Sequence, residues 1–266
     1  MGIGRLYSMP TNQSNTPLRS SSIHLFVNGF SFCTPTKTEY IPTPEGAKDF
    51  DSTVEELLNY YPKSLFEHTQ IISYQHPATF IPIKFFDEKY LAEYLSFSGK
   101  KDLEQILNFD VLNTAQTVTV YTTPKKTLEL LNRHLSQSSL CHYSSLLFEE
   151  IIQISKSVDS KDQLFVHLHK NGMDLFLIEI NTVRFYNHFT IKNEDEFLYY
   201  LFFVVEQYAL KTDTFEIIFL GQIQVYNSYY EALKQYHSKI RFETKDSNTV
   251  VTIDQHPAPY MAEYSV

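Results

Sequence analysis

The sequence predicts a mixed α/β protein built from two halves of similar design. Two stretches place an Asn-Gly pair between segments rich in apolar residues: IHLFVNGFSFC (residues 23–33) and FVHLHKNGMDLFL (residues 165–177). Asn-Gly supplies the positive φ angles of a two-residue hairpin turn, so each stretch predicts a β-hairpin. Helices and strands in mixed order follow each hairpin, which indicates an internal duplication.

The elements after the first hairpin follow from helix-start signals and strand periodicity. Ser52 and Glu55 form a capping box that predicts the start of a helix. The segment QTVTVYT predicts a strand, and Thr123-Pro124 after it predicts another helix start, because proline is favoured at the first helical position. A small helix is expected over residues 102–107.

The second half predicts strand, Asn-Gly turn, strand, strand, helix, strand, helix and strand in that order. The first of these helices is predicted to begin at Asn193, with Glu196 completing its cap. Because this helix is apolar on nearly every side, much of it must be buried. The segment FEIIFLG (residues 215–221) is a continuous apolar strand of the kind covered on both faces.

A strand–strand–strand–helix–strand–helix–strand unit used twice resembles the ribonuclease-H-like half of the actin-like ATPase superfamily. More closely, the order of IHLFVNGFSF, ATFIPIKFF, VTVYTTP, FVHLHKNGMDLFL and IIFLG resembles a Bacteroidetes family of uncharacterised proteins, domain of unknown function 3822. The resemblance implies a duplicated ribonuclease-H-like fold with two mixed-sheet lobes and flanking helices. The expected lobes are residues 23–158 and 159–266, after a polar, flexible tail of residues 1–22.

Composition limits the partners that this protein is expected to have. The 266 residues carry a formal net charge of −9, which does not favour a basic face for nucleic acid or anionic lipid. The most apolar predicted helix is too short to cross a bilayer, and the two cysteines are expected to be reduced core thiols. No secretory leader opens the sequence, so a cytoplasmic protein is expected.

The resemblance implies a role for both hairpin turns. In actin-like ATPases the first hairpin of each half presents an Asp, then glycines and a Ser or Thr, and the turn's backbone N–H groups hold phosphates. Such backbone nests need glycine for close approach. The first turn here keeps Gly29 and Ser31, but no Asp precedes it. The second keeps Gly172, with His167 or His169 about where the Asp would stand.

Two interpretations of the turns stay open. In one, the Asn-Gly pairs are ordinary hairpin turns, and no cofactor is expected. In the other, a vestigial cleft binds ATP and magnesium, with Lys170 as the charge partner of a phosphate. The residues that would line this cleft are Asn28, Gly29, Ser31, Lys170, Asn171, Gly172 and Gly221. No catalytic residue is expected, because Asp174 follows the turn instead of preceding it.

Two residue clusters add further hypotheses. His167 and His169 are expected on one strand face with His188 on a neighbouring strand, and paired imidazoles can bind zinc. No carboxylate partner for them is identifiable, so no metal is expected. Aromatic residues of the last two long helices, Tyr199 and Phe203 among them, either fill a core without tryptophan or form a surface that binds another protein.

The sequence therefore predicts a non-catalytic protein-binding or assembly module in the cytoplasm. It would act through self-association or an unknown protein partner. The alternative is an enzyme, a divergent nucleotide-binding ATPase or phosphotransferase that uses the cleft between the lobes. The sparse glycines and the missing Asp favour the first hypothesis.

Overall fold

The computed structural model describes residues 21–34, 37–43, 50–66, 69–96, 104–135, 137–158, 160–170, 172–180, 182–211, 214–245, 251–252 and 254–262. Residues 1–20 of the predicted tail (residues 1–22) and the site residue Asn171 lie outside these ranges. Within them the chain divides into two compact units, with the division between Glu149 and Glu150. The predicted lobe boundary after residue 158 stays a prediction.

The first unit contains a five-stranded mixed sheet. Its strands are β1 (Ser21–Phe26), β2 (Gly29–Thr34), β3 (Lys37–Pro42), β4 (Thr69–Ser73) and β8 (Ser138–His142). The order across the sheet is β3-β2-β1-β4-β8, with β1, β2 and β3 antiparallel and β4 and β8 parallel to β1. The first predicted hairpin is therefore confirmed as β1–β2, and the start of β1 includes two residues that were assigned to the tail.

Helices cover the core of this sheet. Helix α1 (Phe50–Tyr60) precedes β4, and helix α3 (Lys125–His134) precedes β8. Helix α4 (Tyr143–Ser155) follows β8. The helix start predicted at Thr123-Pro124 is confirmed within one residue. The buried apolar side chains that α1 and α3 contribute meet those of β1 and β2 in one cluster: Val54, Leu57, Leu58, Leu128, Leu131, Ile23, Leu25, Phe30 and Phe32. Each such side chain contributes about 1.5–3 kcal/mol by leaving water.

A small antiparallel sheet is inserted between β4 and α3. Its strands are β5 (Ala78–Pro82), β6 (Gln105–Leu112) and β7 (Thr117–Pro124), in the order β5-β7-β6, and the short helix α2 (Leu91–Tyr94) packs against it. The small helix predicted over residues 102–107 is wrong. Leu107, Phe109 and Val111 alternate onto one face with α2, and this period of two is the mark of a strand.

The second unit repeats the arrangement without the insertion. Its elements are β9 (Asp162–His169), β10 (Gly172–Glu179), β11 (Thr182–Phe189), α5 (Glu194–Gln207), β12 (Phe215–Leu220), α6 (Asn227–Lys234), β13 (Ile240–Glu243) and α7 (Pro259–Ala262). The strand order β11-β10-β9-β12-β13 and the strand directions match those of the first sheet. The predicted duplication is confirmed.

The longest of these helices, α5, is positioned by its cap and its apolar face. The side chain of Asn193 accepts a hydrogen bond from the N–H of Glu196 at 3.0 Å, and the Glu196 carboxylate accepts one from the N–H of Lys192. This reciprocal cap satisfies one orphan N–H group of the first turn, that of Glu196, and the N–H of Lys192 just before the helix. Phe197, Leu201 and Val204 pack into the core against β9 and β10. No helix in the described ranges is both long and apolar enough to cross a membrane.

Backbone strain is present at the end of β10, and it generates a prediction. Ile180 has φ +47° and is 69% exposed. A β-branched residue in the left-handed region costs about 1–2 kcal/mol, which glycine avoids. We therefore expect Ile180→Gly to raise the free energy of unfolding by about 1 kcal/mol in urea denaturation.

The matched control is Val27→Gly, because Val27 is a similarly exposed β-branched residue in the first hairpin turn without a positive φ. It should gain nothing, since glycine there only adds freedom to the unfolded chain. An unchanged or lower denaturation midpoint for Ile180→Gly would show that the turn is not strained.

Candidate functional site

The first hairpin turn is covered by the protein's own third strand. Gly29 has φ +150°, and a Cβ on it would lie 2.5 Å from the Ile41 carbonyl oxygen and 2.7 Å from the Tyr40 hydroxyl. The Asn28 carbonyl accepts hydrogen bonds from the Tyr40 hydroxyl (2.8 Å) and the Thr43 N–H (3.0 Å). Glycine is needed here so that β3 can approach the turn. The space next to it faces a carbonyl oxygen, which repels phosphate.

Ser31 does not lie at this turn. It is the third residue of β2, fully buried, and opposes His24 on one side and Tyr40 on the other. Its hydroxyl makes no hydrogen bond to any described residue. The side chain is thus enclosed in the sheet and not presented to a ligand at the turn.

The second turn uses its glycine in the same way. A Cβ on Gly172 would collide with the Phe189 carbonyl oxygen and lie 2.8 Å from the His188 ring, so Gly172 permits the close pairing of β10 with β11. The N–H of Lys170 donates to the Pro257 carbonyl at 2.7 Å. This N–H, which a phosphate-binding turn would offer to its ligand, is bonded within the protein.

Gly221 follows β12, at the same end of the second sheet as the turn between β9 and β10. It has φ +121°, and a Cβ on it would lie 2.9 Å from the Tyr226 ring. That ring is buried, and its hydroxyl donates to the Leu168 carbonyl at 2.7 Å. The cavity that remains beside Gly221 measures about 20 Å³. This is room for one water, far less than the hundreds of cubic ångströms of a typical small-molecule site.

The structure thus places Lys170, Gly172 and Gly221 at the same end of the second unit's sheet, where β9 and β12 end. Asn28, Gly29 and Ser31 belong to the first unit. In each unit the glycines are in contact with the protein's own atoms.

A cluster of three histidines and one aspartate lies on one face of the second sheet. The strand register places Asp174 of β10 directly opposite His167 of β9 and His188 of β11. His167 Nδ1 is 2.9 Å from Asp174 Oδ2, and His188 Nδ1 is 3.2 Å from Asp174 Oδ1. His169 lies two residues beyond His167 on the same face, with Nε2 3.8 Å from Asp174 Oδ2. We call these four residues the His–Asp cluster.

Two members of the His–Asp cluster are buried and two are partly exposed to solvent. The side chains of His167 and Asp174 are fully buried, whereas those of His169 and His188 are 11% and 17% exposed. The rings of His169 and His188 stack with their centroids 5.1 Å apart. A small molecule or ion from solvent would therefore meet these two imidazoles first and the carboxylate behind them.

Electrostatics fix the protonation states in the cluster. Burial by itself would raise the pKa of Asp174, but the hydrogen bonds from His167 and His188 outweigh it and hold the pKa well below its usual range. Burial lowers the pKa of His169, so this imidazole is neutral near pH 7. An ionised carboxylate beside a neutral imidazole is the arrangement that can bind a metal ion.

The prediction that the histidines have no carboxylate partner is wrong, because Asp174 lies beside them. Asp174 looked misplaced because it follows the turn, yet an antiparallel hairpin brings residues on its two sides together. A two-residue Asn171-Gly172 loop would pair His169 with Asp174, so the sequence alone already indicates a histidine beside this carboxylate. The observed register pairs His169 with Gly172 and His167 with Asp174. The pairing of His188 with Asp174 depends on a register shift between β10 and β11, which the sequence does not indicate.

The first unit contains a different buried carboxylate. Asp110 of β6 accepts hydrogen bonds from the Tyr121 hydroxyl (3.0 Å), the His142 N–H (2.8 Å) and the Ser145 hydroxyl (2.6 Å). Because His142 and Ser145 flank the start of α4, Asp110 supplies an acceptor to the N-terminal end of that helix. Burial raises the pKa of Asp110 to about 7, although these three donors favour the charged form.

A comparison with protein families gives a match over most of the chain. The family model described as "Protein of unknown function (DUF3822)" matches residues 22–240. No curated protein matches the chain.

Solved structures match over nearly the whole chain. A crystal structure from Bacteroides thetaiotaomicron, of a protein with actin-like ATPase fold and unknown function, is 17% identical with a TM-score of 0.73, covering 92% of this chain and 95% of that one. A PilM–PilN type IV pilus biogenesis complex gives 10% identity and a TM-score of 0.60, covering 92% of this chain and 96% of that one. The likeness shows the fold, so the predicted two-lobed actin-like ATPase fold is confirmed.

The pKa of Asp110 leads to a prediction about stability and pH. Its pKa is about 7 in the folded state and about 4 in the unfolded state, so the folded state binds more protons between these values. Asp110 therefore contributes stability at low pH that is lost as pH rises towards 7. Between pH 5 and pH 8 we expect this residue to lower the free energy of unfolding by about 2–3 kcal/mol.

The measurement is chemical denaturation of the wild type and Asp110→Asn at pH 5 and pH 8. The variant lacks the titrating group, so the difference between the two proteins isolates its contribution whatever the absolute stability. Parallel pH profiles for the two proteins would mean that the three hydrogen bonds keep Asp110 ionised at an ordinary pKa.

Proposed function

The chain belongs to the DUF3822 family, and we propose that it is a non-catalytic protein-binding or assembly module on an actin-like ATPase fold. The observation that carries the proposal is that protein atoms fill the space beside the two turn glycines. Gly29 and Gly172 both face backbone carbonyl oxygens of a neighbouring strand, where a phosphate-binding turn would leave N–H groups open to the ligand.

The carboxylate chemistry of the second unit supports the same proposal. ATP hydrolysis needs a carboxylate placed to orient hydrated magnesium at the phosphates. Asp174 is the acidic residue nearest the second turn in sequence, and both of its oxygens are engaged with histidine side chains. Magnesium prefers oxygen ligands and keeps several waters, so this imidazole-rich surrounding does not suit it.

An exposed aromatic surface supports a role in binding protein. Tyr199 and Phe203 lie one turn apart on α5, stack with centroids 6.5 Å apart, and are 65% and 46% exposed. Tyr236, after α6, packs against Phe202 and is 60% exposed. We call Tyr199, Phe203 and Tyr236 the α5 aromatic face. Aromatic residues are enriched in the cores of protein interfaces, and exposed apolar side chains that lie in contact with one another mark interaction sites.

The charge beside these aromatics indicates the chemistry of a partner. Asp195 and Glu206 are exposed and lie at helical spacing with Tyr199 and Phe203, before and after them on α5. A partner segment with an apolar centre and basic residues at its rim would match. The fold is compatible with such a role, because a structure of this fold has been solved as the PilM–PilN complex.

One prediction of this proposal is that the protein does not bind nucleotide. We expect the unfolding temperature of the protein to stay unchanged with millimolar ATP and magnesium. The reason is that protein atoms fill the space beside Gly29, Gly172 and Gly221, where a phosphate would have to lie. A bound nucleotide at a hundred times its dissociation constant would stabilise the fold by about 2.7 kcal/mol, which a thermal-shift experiment detects readily.

Stabilisation by ATP that Lys170→Ala removes and Lys211→Ala retains would overturn the proposal in favour of a nucleotide-binding enzyme. Lys211 is an exposed lysine that follows α5 and is not among the residues of the predicted cleft, so its variant controls for loss of surface charge.

The second prediction concerns the α5 aromatic face. We expect Tyr199→Ala with Phe203→Ala to abolish self-association or partner binding while changing the free energy of unfolding by less than about 1 kcal/mol, since both side chains are largely exposed. Sedimentation velocity of the purified chain measures self-association, and quantitative cross-linking in cells measures partner binding.

The matched control is Tyr60→Ala with Phe85→Ala, two strongly exposed aromatics of the first unit. This control should behave as the wild type in both assays. Association that survives the α5 variant, or is lost equally in the control, would exclude this face as the interface.

A further inference from the structure

We propose that His169, Asp174 and His188 form a binding site for a divalent transition-metal ion, with zinc as the ion to test first. The inference is independent of the proposed protein-binding function. It rests on the geometry of the His–Asp cluster, on the chemistry of its donors and on the way the sheet holds them.

The distances fit one small ion. One donor atom from each of the three residues lies within 4.8 Å of the other two. Asp174 oxygens are 3.2 Å from His188 Nδ1 and 3.8 Å from His169 Nε2. In a tetrahedral zinc site with bonds of about 2.0–2.1 Å, neighbouring donors are about 3.3 Å apart. The donors are thus within about 1.5 Å of tetrahedral spacing, a difference that rotation of the two partly exposed imidazoles can close.

The donor set selects the class of ion. Two imidazoles and one carboxylate suit zinc and other first-row transition metals, whereas magnesium and calcium take mainly oxygen ligands. Three protein ligands leave at least one coordination position for water or another ligand. Since His169 and His188 are the partly exposed members, an ion can enter from their side and reach the carboxylate behind them.

The surroundings orient the buried ligand. His167 Nδ1 donates to Asp174 Oδ2, and Asp174 Oδ1 accepts from His188 Nδ1. A metal ion bound between Oδ1 and Nδ1 would take the place of that proton, which is released on binding. The Tyr186 hydroxyl is 3.4 Å from the same Oδ1. Partners of this kind fix the orientation of a ligating carboxylate, and their removal commonly weakens metal binding 10–100-fold. His167 is thus a positioning residue and not a ligand.

The sheet provides rigidity that loops do not. The three ligand-bearing strands β9, β10 and β11 are adjacent, and Asp174 is in register with His167 and His188. The donors therefore approach one point without any loop having to fold over it, which is the arrangement that favours a defined metal site. A dication would also compensate the charge of a carboxylate that is fully buried.

The test uses the full chain, stripped with a chelator and titrated with zinc chloride by equilibrium dialysis with metal analysis. The wild type should bind one equivalent more than either His169→Gln or His188→Gln. His134→Gln, which removes an exposed imidazole of the first unit, should bind as the wild type does. His167→Gln should keep the equivalent with affinity lowered 10–100-fold.

A second measurement does not depend on the variants folding. Cobalt(II) added to the stripped wild type should give the visible absorption of a four- or five-coordinate ion with nitrogen and oxygen ligands, and zinc should displace it. Equal zinc binding by the wild type and all four variants, its loss in only one of the two ligand variants, or a cobalt spectrum identical to that of the hydrated ion would overturn the proposal.

Discussion

The antiparallel register of β9, β10 and β11 is the constraint on which the second unit depends. Gly172 lets the backbone of β10 pass so close to Phe189 that no side chain fits between them. This pairing places Asp174 beside His167 and His188 and fixes the whole His–Asp cluster. Because side chains alternate along a strand, a slip of one residue would send Asp174 to the core face among Leu164 and Leu175, where an ionised carboxylate has no partner. One glycine therefore sets both the pairing and the chemistry of that face.

The first unit uses the same backbone design for a different purpose. Gly29 also admits a neighbouring strand, but there Tyr40 closes the turn and donates to the Asn28 carbonyl. In both units strand pairing or a tyrosine side chain takes the space beside the turn glycine. The two turns therefore share a backbone design, and different neighbouring residues complete them.

The parts of this fold that could be predicted are those that local signals specify. The Asn-Gly hairpins, the Asn193 cap and the Thr123-Pro124 helix start follow from turn and cap chemistry, and the repeated order of elements was enough to identify the family. The strand Gln105–Leu112 was missed because charged residues before it resemble a helix start, although its alternation at Leu107, Phe109 and Val111 was readable. The shared strand face of His167 and His169 was predictable from their spacing, whereas their contact with Asp174 depends on the register across the turn. Burial of Tyr226 beside Gly221 could not be foreseen, since it depends on where α6 packs.

The two buried carboxylates show how the units differ in chemical capacity. Asp110 receives only neutral donors, so its charge remains costly and its pKa moves towards neutrality. Asp174 accepts hydrogen bonds from the imidazoles of His167 and His188, and it stays ionised although it is equally buried. The first arrangement serves to hold a helix end against β6, where a neutral acid suffices. The second keeps a full negative charge next to two partly exposed nitrogen ligands, a combination that hydrogen bonding within a core does not require. The metal site proposed for the second unit therefore lies on the face of its sheet and not at its hairpin turn.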